Sequence, residues 1–199
     1  KGHGAAGAGA PAPERGEPLM TLDQTILHGI HAALTGPFLD FLMPKITALG
    51  NGGAIWLLAA GCLLCTKKCR RQGVLLLGGL AVGVLVGNVA LKNLIARPRP
   101  CWVESVPLLI ASPTDYSFPS GHTLSSAIGA TILTKTDRRF GYAAIPLAAL
   151  IAFSRLYLYV HWPSDVLAGA LLGILIGNLT FLRGGRGLDR LEEMRTAGK

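Results

Sequence analysis

Apolar residues in this chain come in long unbroken runs. They do not show the alternating or three-to-four-residue spacing of a soluble core. Runs free of Asp, Glu, Lys and Arg cover residues 46–66, 74–91, 141–154 and 166–182, and a fifth covers 118–134. A bilayer core of about 30 Å takes about 20 helical residues to cross. The 74–91 run reaches that length if it continues through Lys92 towards Ala96. The 141–154 run does so if it continues towards Val160. The pattern predicts an all-α, polytopic membrane bundle of five spanning helices. The 118–134 segment is short, and counts as a crossing if its start sits below the surface in a protein-lined cavity.

The N-terminal part reads differently. Residues 1–18 are rich in Gly, Ala and Pro and lack an apolar run, so they read as a flexible lead and not as a signal peptide, with Met20 a candidate native start. Over 19–36, apolar Leu19, Leu22, Ile26, Leu27, Ile30 and Leu34 alternate at helical spacing with Asp23, Gln24, His28 and His31. That pattern predicts an amphipathic helix lying on the membrane surface, with the two histidines as interfacial polar residues. Gly36-Pro37 ends it. The membrane domain then occupies 37–183 and a cytoplasmic tail 184–199. Glycines recur every fourth residue at Gly79, Gly83 and Gly87, and again at Gly169, Gly173 and Gly177. Each set forms a smooth stripe suited to close helix packing within the chain.

Composition agrees with this reading. Half of the 199 residues are hydrophobic and 15% are charged, against about 25% in a soluble domain. Most of the chain is therefore neither an ordinary soluble globule nor disordered. The net charge of +8 could serve nucleic acid, but in so apolar a chain it reads as membrane topology. Lys67, Lys68, Arg70 and Arg71, then Lys135, Arg138 and Arg139, then Arg183, Arg186 and Arg190 all fall on one side of a five-helix arrangement. The positive-inside rule assigns that side to the cytoplasm. Cys62, Cys65, Cys69 and Cys101 have neither a disulfide framework nor the spacing of a zinc site. No feature specifies an oligomeric state.

Few basic residues remain for the opposite side: Lys92, Arg97, Arg99 and Arg155. Lys92 lies near the outer end of a membrane helix, where a charge is costly and usually functional. Arg99-Pro100 follows. Pro119-Ser120-Gly121-His122 opens the next helix, and Ser154-Arg155, His161 and Asp165 cluster at the junction of the last two. Lys92, Arg99 and Arg155 would neutralise a phosphate, the arginines through forked donors. Ser120 and Gly121 offer backbone N–H groups at a helix start and, from Ser120, a hydroxyl donor. Two histidines suit a two-step displacement, one attacking phosphorus and one protonating the leaving oxygen. Asp165, four residues after His161, would accept the proton of the ring nitrogen that does not attack. Arg97 reads as an outer-rim charge. The loop 101–118 carries an apolar patch, Val106 to Ile110, which reads as packing on the helices.

Lys92 with six residues to Arg99-Pro100, Pro119-Ser120-Gly121-His122, and Ser154-Arg155 with His161 and Asp165 resemble the three-part signature of the type 2 phosphatidic acid phosphatases. The motifs match in order, over residues 92–165. The resemblance implies a metal- and cofactor-independent lipid phosphatase with a phosphohistidine intermediate. His161 would be the nucleophile, Asp165 its partner and His122 the acid. Lys92, Arg99, Ser120, Gly121, His122 and Arg155 would line the phosphate pocket. Members often have six spanning helices. Here the first is absent or replaced by the amphipathic segment. The expected substrate is a lipid phosphate at the extracytoplasmic face, first undecaprenyl diphosphate, then phosphatidylglycerophosphate or phosphatidic acid. Two alternatives stay open: a phosphotransferase using the same histidine, and a non-catalytic binder or transporter of anionic lipids. Vanadium haloperoxidases share a similar pocket but are soluble, unlike this chain.

Overall fold

The computed structural model describes residues 21–184, and the expected lead, Met20, and the tail residues Arg186 and Arg190 lie outside them. Every regular element in this span is helical: α1 (Leu22–Leu34), α2 (Pro37–Leu49), α3 (Ala54–Cys65), α4 (Arg70–Gly83), α5 (Lys92–Ile95), α6 (Pro100–Val103), α7 (Gly121–Thr136), α8 (Arg138–Tyr157) and α9 (Pro163–Leu179), with short 3₁₀ and π segments between them.

The first apolar run is not one straight helix. It breaks at Asn51–Gly53, where Gly52 and Gly53 take φ of 57° and 73°, a left-handed backbone that glycine adopts without a Cβ clash. The halves, α2 and α3, meet at a bend of 45°. The second run holds as a helix but widens into a π segment over Val84–Leu91 before Lys92, a wide-turn insertion frequent at functional sites. The described residues contain three helical segments long and apolar enough to cross a membrane, Arg70–Val103, Arg138–Tyr157 and Pro163–Gly184, or four if the bent pair is one span. The expected fifth, α7, has 16 residues and falls short of about 20.

Helix α7 is the pillar of the bundle, packed against α8, α9 and α4. Both glycine stripes face it. A Cβ on Gly83 would lie 2.6 Å from Ile128 Cδ1, and one on Gly177 would lie 2.9 Å from Thr131 Cβ, so both stripes serve packing inside the chain. Trp56, Ala60, Leu76, Ile128, Ile132 and Ile151 form the buried centre, and the Trp56 indole N–H donates to Ser126 Oγ at 3.0 Å. The 101–118 loop packs as expected, Leu108 and Ile110 lying against the cluster of Met43, Leu158 and Val160.

Helix α1 forms where its pattern predicts, from a capping box at Thr21 and Gln24, but its polar face points into the protein. His28 Nε2 meets Glu104 at 2.6 Å, Gln24 donates to Glu104, and Asp23 meets Ser164 and Arg97. Leu22 and Ile26 face outward, and only Leu27 is buried. Polar contacts to the loop and to the start of α9 take the place of the expected contact with water.

Candidate active site

The connections alternate along the bundle. Helix α4 begins, α7 ends and α8 begins beside the basic segments 67–71 and 135–139. At the other end, Lys92 closes the α4 segment, Gly121 starts α7, Arg155 and His161 close α8, and Asp165 starts α9. Residues far apart in the chain thus converge on one cavity of about 910 Å³. Its polar end is lined by Lys92, Arg99, Gly121, His122, Arg155 and His161. All three cations are buried. A burial of three like charges in one place is expensive unless anions accompany them.

One anion comes from the loop before α7. The Asp115 carboxylate pairs with Lys92 Nζ and, at 2.7 Å, with Arg99 Nη2. Partial burial raises the pKa of Asp115, but Lys92 and Arg99 together outweigh that and hold it down at about 2. Arg99 is held further by donating to the Asp115 and Val160 carbonyls, both at 2.6 Å. Arg155 donates to Thr47 Oγ1 at 2.5 Å, and its buried Nε has no partner among the described residues.

The hydrogen bonds around His161 assign its tautomer. Ser117 gives its single hydroxyl proton to Asp165 Oδ2, so towards His161 Nδ1, 3.4 Å away, it can only accept. Nδ1 therefore carries the ring proton. On the other side, Arg99 Nη1 lies 3.1 Å from Nε2 and can only donate, so Nε2 is the unprotonated nitrogen and its lone pair accepts from Arg99 at the cavity wall. Burial holds the imidazole well below its ordinary range, at about 3, with Asp165 opposing and the two arginines reinforcing. His161 Nδ1 and Asp165 Oδ2 pair at 3.6 Å, longer than a close hydrogen bond, and Ser117 bonds the same carboxylate oxygen.

His122 Nε2 meets Asn51 Oδ1 at 2.9 Å, so the break between α2 and α3 holds this histidine in place. Ser120 is fully buried and caps α7, its hydroxyl accepting from Thr123 Oγ1 at 3.0 Å, and it does not reach the cavity wall as expected. Its backbone N–H donates to the Asp165 carbonyl at 3.1 Å, tying the starts of α7 and α9 together. Arg97 is not a rim charge, for it bonds Asp165 Oδ1 at 2.6 Å. Sequence reasoning missed Asn51, Asp115 and Ser117 as well. Only the short polar break around Asn51 and the position of Ser117 just before Pro119 hinted at them.

Two chain breaks from helical geometry frame the site. Ala96 and Tyr159 both have positive φ, 46° and 60°, a strained backbone for residues with a Cβ. Ala96 turns the chain out of α5 into the arginine segment, and Tyr159 turns it out of α8 towards His161.

The profile of the PAP2 superfamily matches residues 72–186. An undecaprenyl-diphosphatase of Sulfolobus acidocaldarius is 36% identical over 146 residues, 72% of this chain and 70% of that protein. The crystal structure of Aquifex aeolicus LpxE superposes with a TM-score of 0.72 at 28% identity, covering 82% of this chain and 96% of that one. A PAP2-type phosphatidylglycerolphosphate phosphatase from Bacillus subtilis gives 0.66 at 28% identity, covering 84% of each chain. The matched region holds the whole cation and histidine cluster from Lys92 to Asp165, and on these grounds the chain belongs to the PAP2 superfamily.

Proposed function

We propose that this protein hydrolyses the terminal phosphate of a membrane lipid phosphate or diphosphate through a phosphohistidine at His161. The observation that carries the reading is the cavity's polar end: an unprotonated His161 Nε2 that accepts from Arg99, and a buried Arg155 Nε–H with no partner among the described residues. That donor fits a phosphate oxygen. In the first step Nε2 attacks the terminal phosphorus, the bond from it to the leaving oxygen breaks (the lipid oxygen of a monophosphate, the bridging oxygen of a diphosphate), and His122 gives that oxygen a proton. In the second step water attacks the phosphohistidine, the P–N bond breaks and inorganic phosphate leaves. His122 takes up a proton from the water. Lys92, Arg99, Arg155 and the Gly121 backbone hold the phosphate, and the Asp165–Ser117 pair holds the Nδ1–H of His161.

A lipid substrate is supported by the rest of the cavity wall. Away from the cations it is lined by Leu57, Leu77, Leu80 and Val84, from α3, α4 and the π segment. This apolar limb suits the first isoprene or acyl units and offers an access route that needs no further helix. Undecaprenyl diphosphate is our first substrate, in line with the activity named for the Sulfolobus relative. Phosphatidylglycerophosphate and phosphatidic acid come next.

We further propose five crossings, counting the bent α2–α3 pair and a sunken α7, with α1 on the outer surface. The basic segments 67–71 and 135–139 then face the cytoplasm, and the site opens to the other side. Single cysteines at Ser112 and Thr136, in a cysteine-free background, test this in intact cells. An impermeant thiol reagent should label the first and spare the second, and the reverse labelling refutes the orientation. The chemistry is tested by phosphate release from a panel of purified lipids, including polyprenyl diphosphate and phosphatidylglycerophosphate. The intact chain should be active in strong chelator and His161→Ala inert. An active His161→Ala variant refutes the mechanism.

A further inference from the structure

Asp165 is fully buried, and its two oxygens face different neighbours. Oδ2 receives the Ser117 hydroxyl and, at 2.9 Å, the Trp162 N–H, and it is the oxygen turned to His161. Oδ1 receives Arg97 Nη1 at 2.6 Å. The other terminal nitrogen of Arg97 reaches Asp23 Oδ2 on α1 at 2.7 Å. Asp23 in turn accepts from the Ser164 N–H at 2.8 Å. The guanidinium lies 5.4 Å from the Trp162 ring, whose indole N–H is fixed on the Pro98 carbonyl at 3.0 Å. One planar fork therefore spans two carboxylates on two helices, a geometry that lysine cannot reproduce. Neither Arg97 nor Asp165 lines the cavity, whereas His161 does.

We propose that Arg97 is a positioning residue for the nucleophile, acting through Asp165, and that Asp23 of α1 is its counter-anchor. The proposal rests on His161 being the attacking group. When its Nε2 bonds phosphorus the ring becomes cationic, and Asp165 must then be ionised and fixed in one rotamer to stabilise it. Arg97 supplies the charge that lets a carboxylate stay ionised without solvent. Left alone, that cation would also oppose the developing charge on His161. Asp23 cancels it, so that the pair Asp23–Arg97 orients Asp165 without adding net charge. This explains why the polar face of α1 points inward.

The test compares Arg97→Met, Arg97→Lys, Asp23→Asn and the double variant Arg97→Met/Asp23→Asn in the full chain. Readouts are kcat and KM on a lipid diphosphate, competitive inhibition by inorganic sulfate, and thermal unfolding. Loss of an outer partner of a functional group typically costs about 10- to 100-fold in activity. Arg97→Met should lose kcat on that scale, Asp23→Asn less, and the double variant no more than Arg97→Met, since the two act in one chain. Sulfate affinity should be unchanged in all four, because sulfate forms no bond to His161 and Lys92, Arg99 and Arg155 are untouched. Arg97→Lys should keep the fold and recover part of kcat. If Arg97→Met does not fold, Asp23→Asn and Arg97→Lys decide by the same split. Unchanged kcat overturns the proposal, as does an equal loss of kcat and sulfate affinity, or additive losses in the double variant. A wild-type chain inert on every lipid overturns the hydrolase reading and this proposal with it. An active wild type with indifferent variants overturns this proposal alone.

Discussion

Asp115 holds the two cations that a phosphate would need, so replacing it by asparagine should make the site bind small oxyanions more tightly. The Asp115 carboxylate bridges Lys92 and Arg99. A bound phosphate would therefore lie within about 4 Å of it, where two unit charges repel by about 4 kcal/mol at an effective dielectric of 20. The side chain is 56% exposed, and solvent screening reduces such exposed interactions to ~1 kcal/mol. That corresponds to roughly a fivefold lower inhibition constant for inorganic phosphate or vanadate in Asp115→Asn. The gain should shrink with added salt, as expected for a partly exposed charge. Because the carboxylate titrates at about 2, the effect should be constant across neutral and mildly acidic pH. The assay is competitive inhibition of phosphate release by vanadate at two ionic strengths. An unchanged or weaker vanadate affinity in Asp115→Asn refutes the reasoning and makes the carboxylate an aligner of Lys92 and Arg99, and not a competitor for them.

His122→Ala should impair substrates with poor leaving groups far more than an aryl phosphate, whose leaving oxygen scarcely needs a proton; equal losses would leave His122 as a ligand only. A ¹³C label on the imidazole of His161, assigned by loss of the signal in His161→Asn, should report a neutral ring from pH 7.5 down to pH 5; protonation near 6.5 would contradict the burial argument. In the same range the unfolded chain takes up a proton that folded His161 refuses, so this residue's contribution lowers stability as pH falls from about 6.5 towards about 3. Gly173→Ala would put a Cβ 2.5 Å from the Leu124 carbonyl and should destabilise by about 1–3 kcal/mol, whereas Gly78→Ala meets nothing within 4 Å and should gain about 0.5–1 kcal/mol; thermal unfolding in detergent checks both.

The chemistry was legible in the sequence because Lys92, Arg99, His122, Arg155, His161 and Asp165 stand where apolar runs end, and charges there need a reason. The structure brings all six together. What was not legible depends on contacts between distant segments. Arg97 and Arg99 look alike in a row of basic and proline residues, yet one meets Asp165 across 68 positions and Asp23 across 74, while the other meets the loop and His161. Hydrophobicity alone also joined α2 and α3 into one run, although the polar break at Asn51 is what meets His122. The inward polar face of α1 was hidden for the same reason: an amphipathic pattern states that two faces differ, not which one the protein covers.

The glycine faces on either side of α7 bear on how the enzyme responds to its bilayer. On the α4 side Gly83 meets the Ile128 side chain, whereas on the α9 side Gly169 and Gly173 meet the α7 backbone itself, with no long side chain in between. Such contacts contain almost no rotamers to rearrange, so they are the least compressible part of the bundle. The outer surface, by contrast, is built of flexible exposed side chains such as Leu85, Leu171 and Leu175. A change in lateral pressure, from a thicker membrane or stiffer tails, is absorbed at that outer layer. The spacing between the α7 and α9 starts, and with it the distance from His122 to His161, stays under the control of backbone contact.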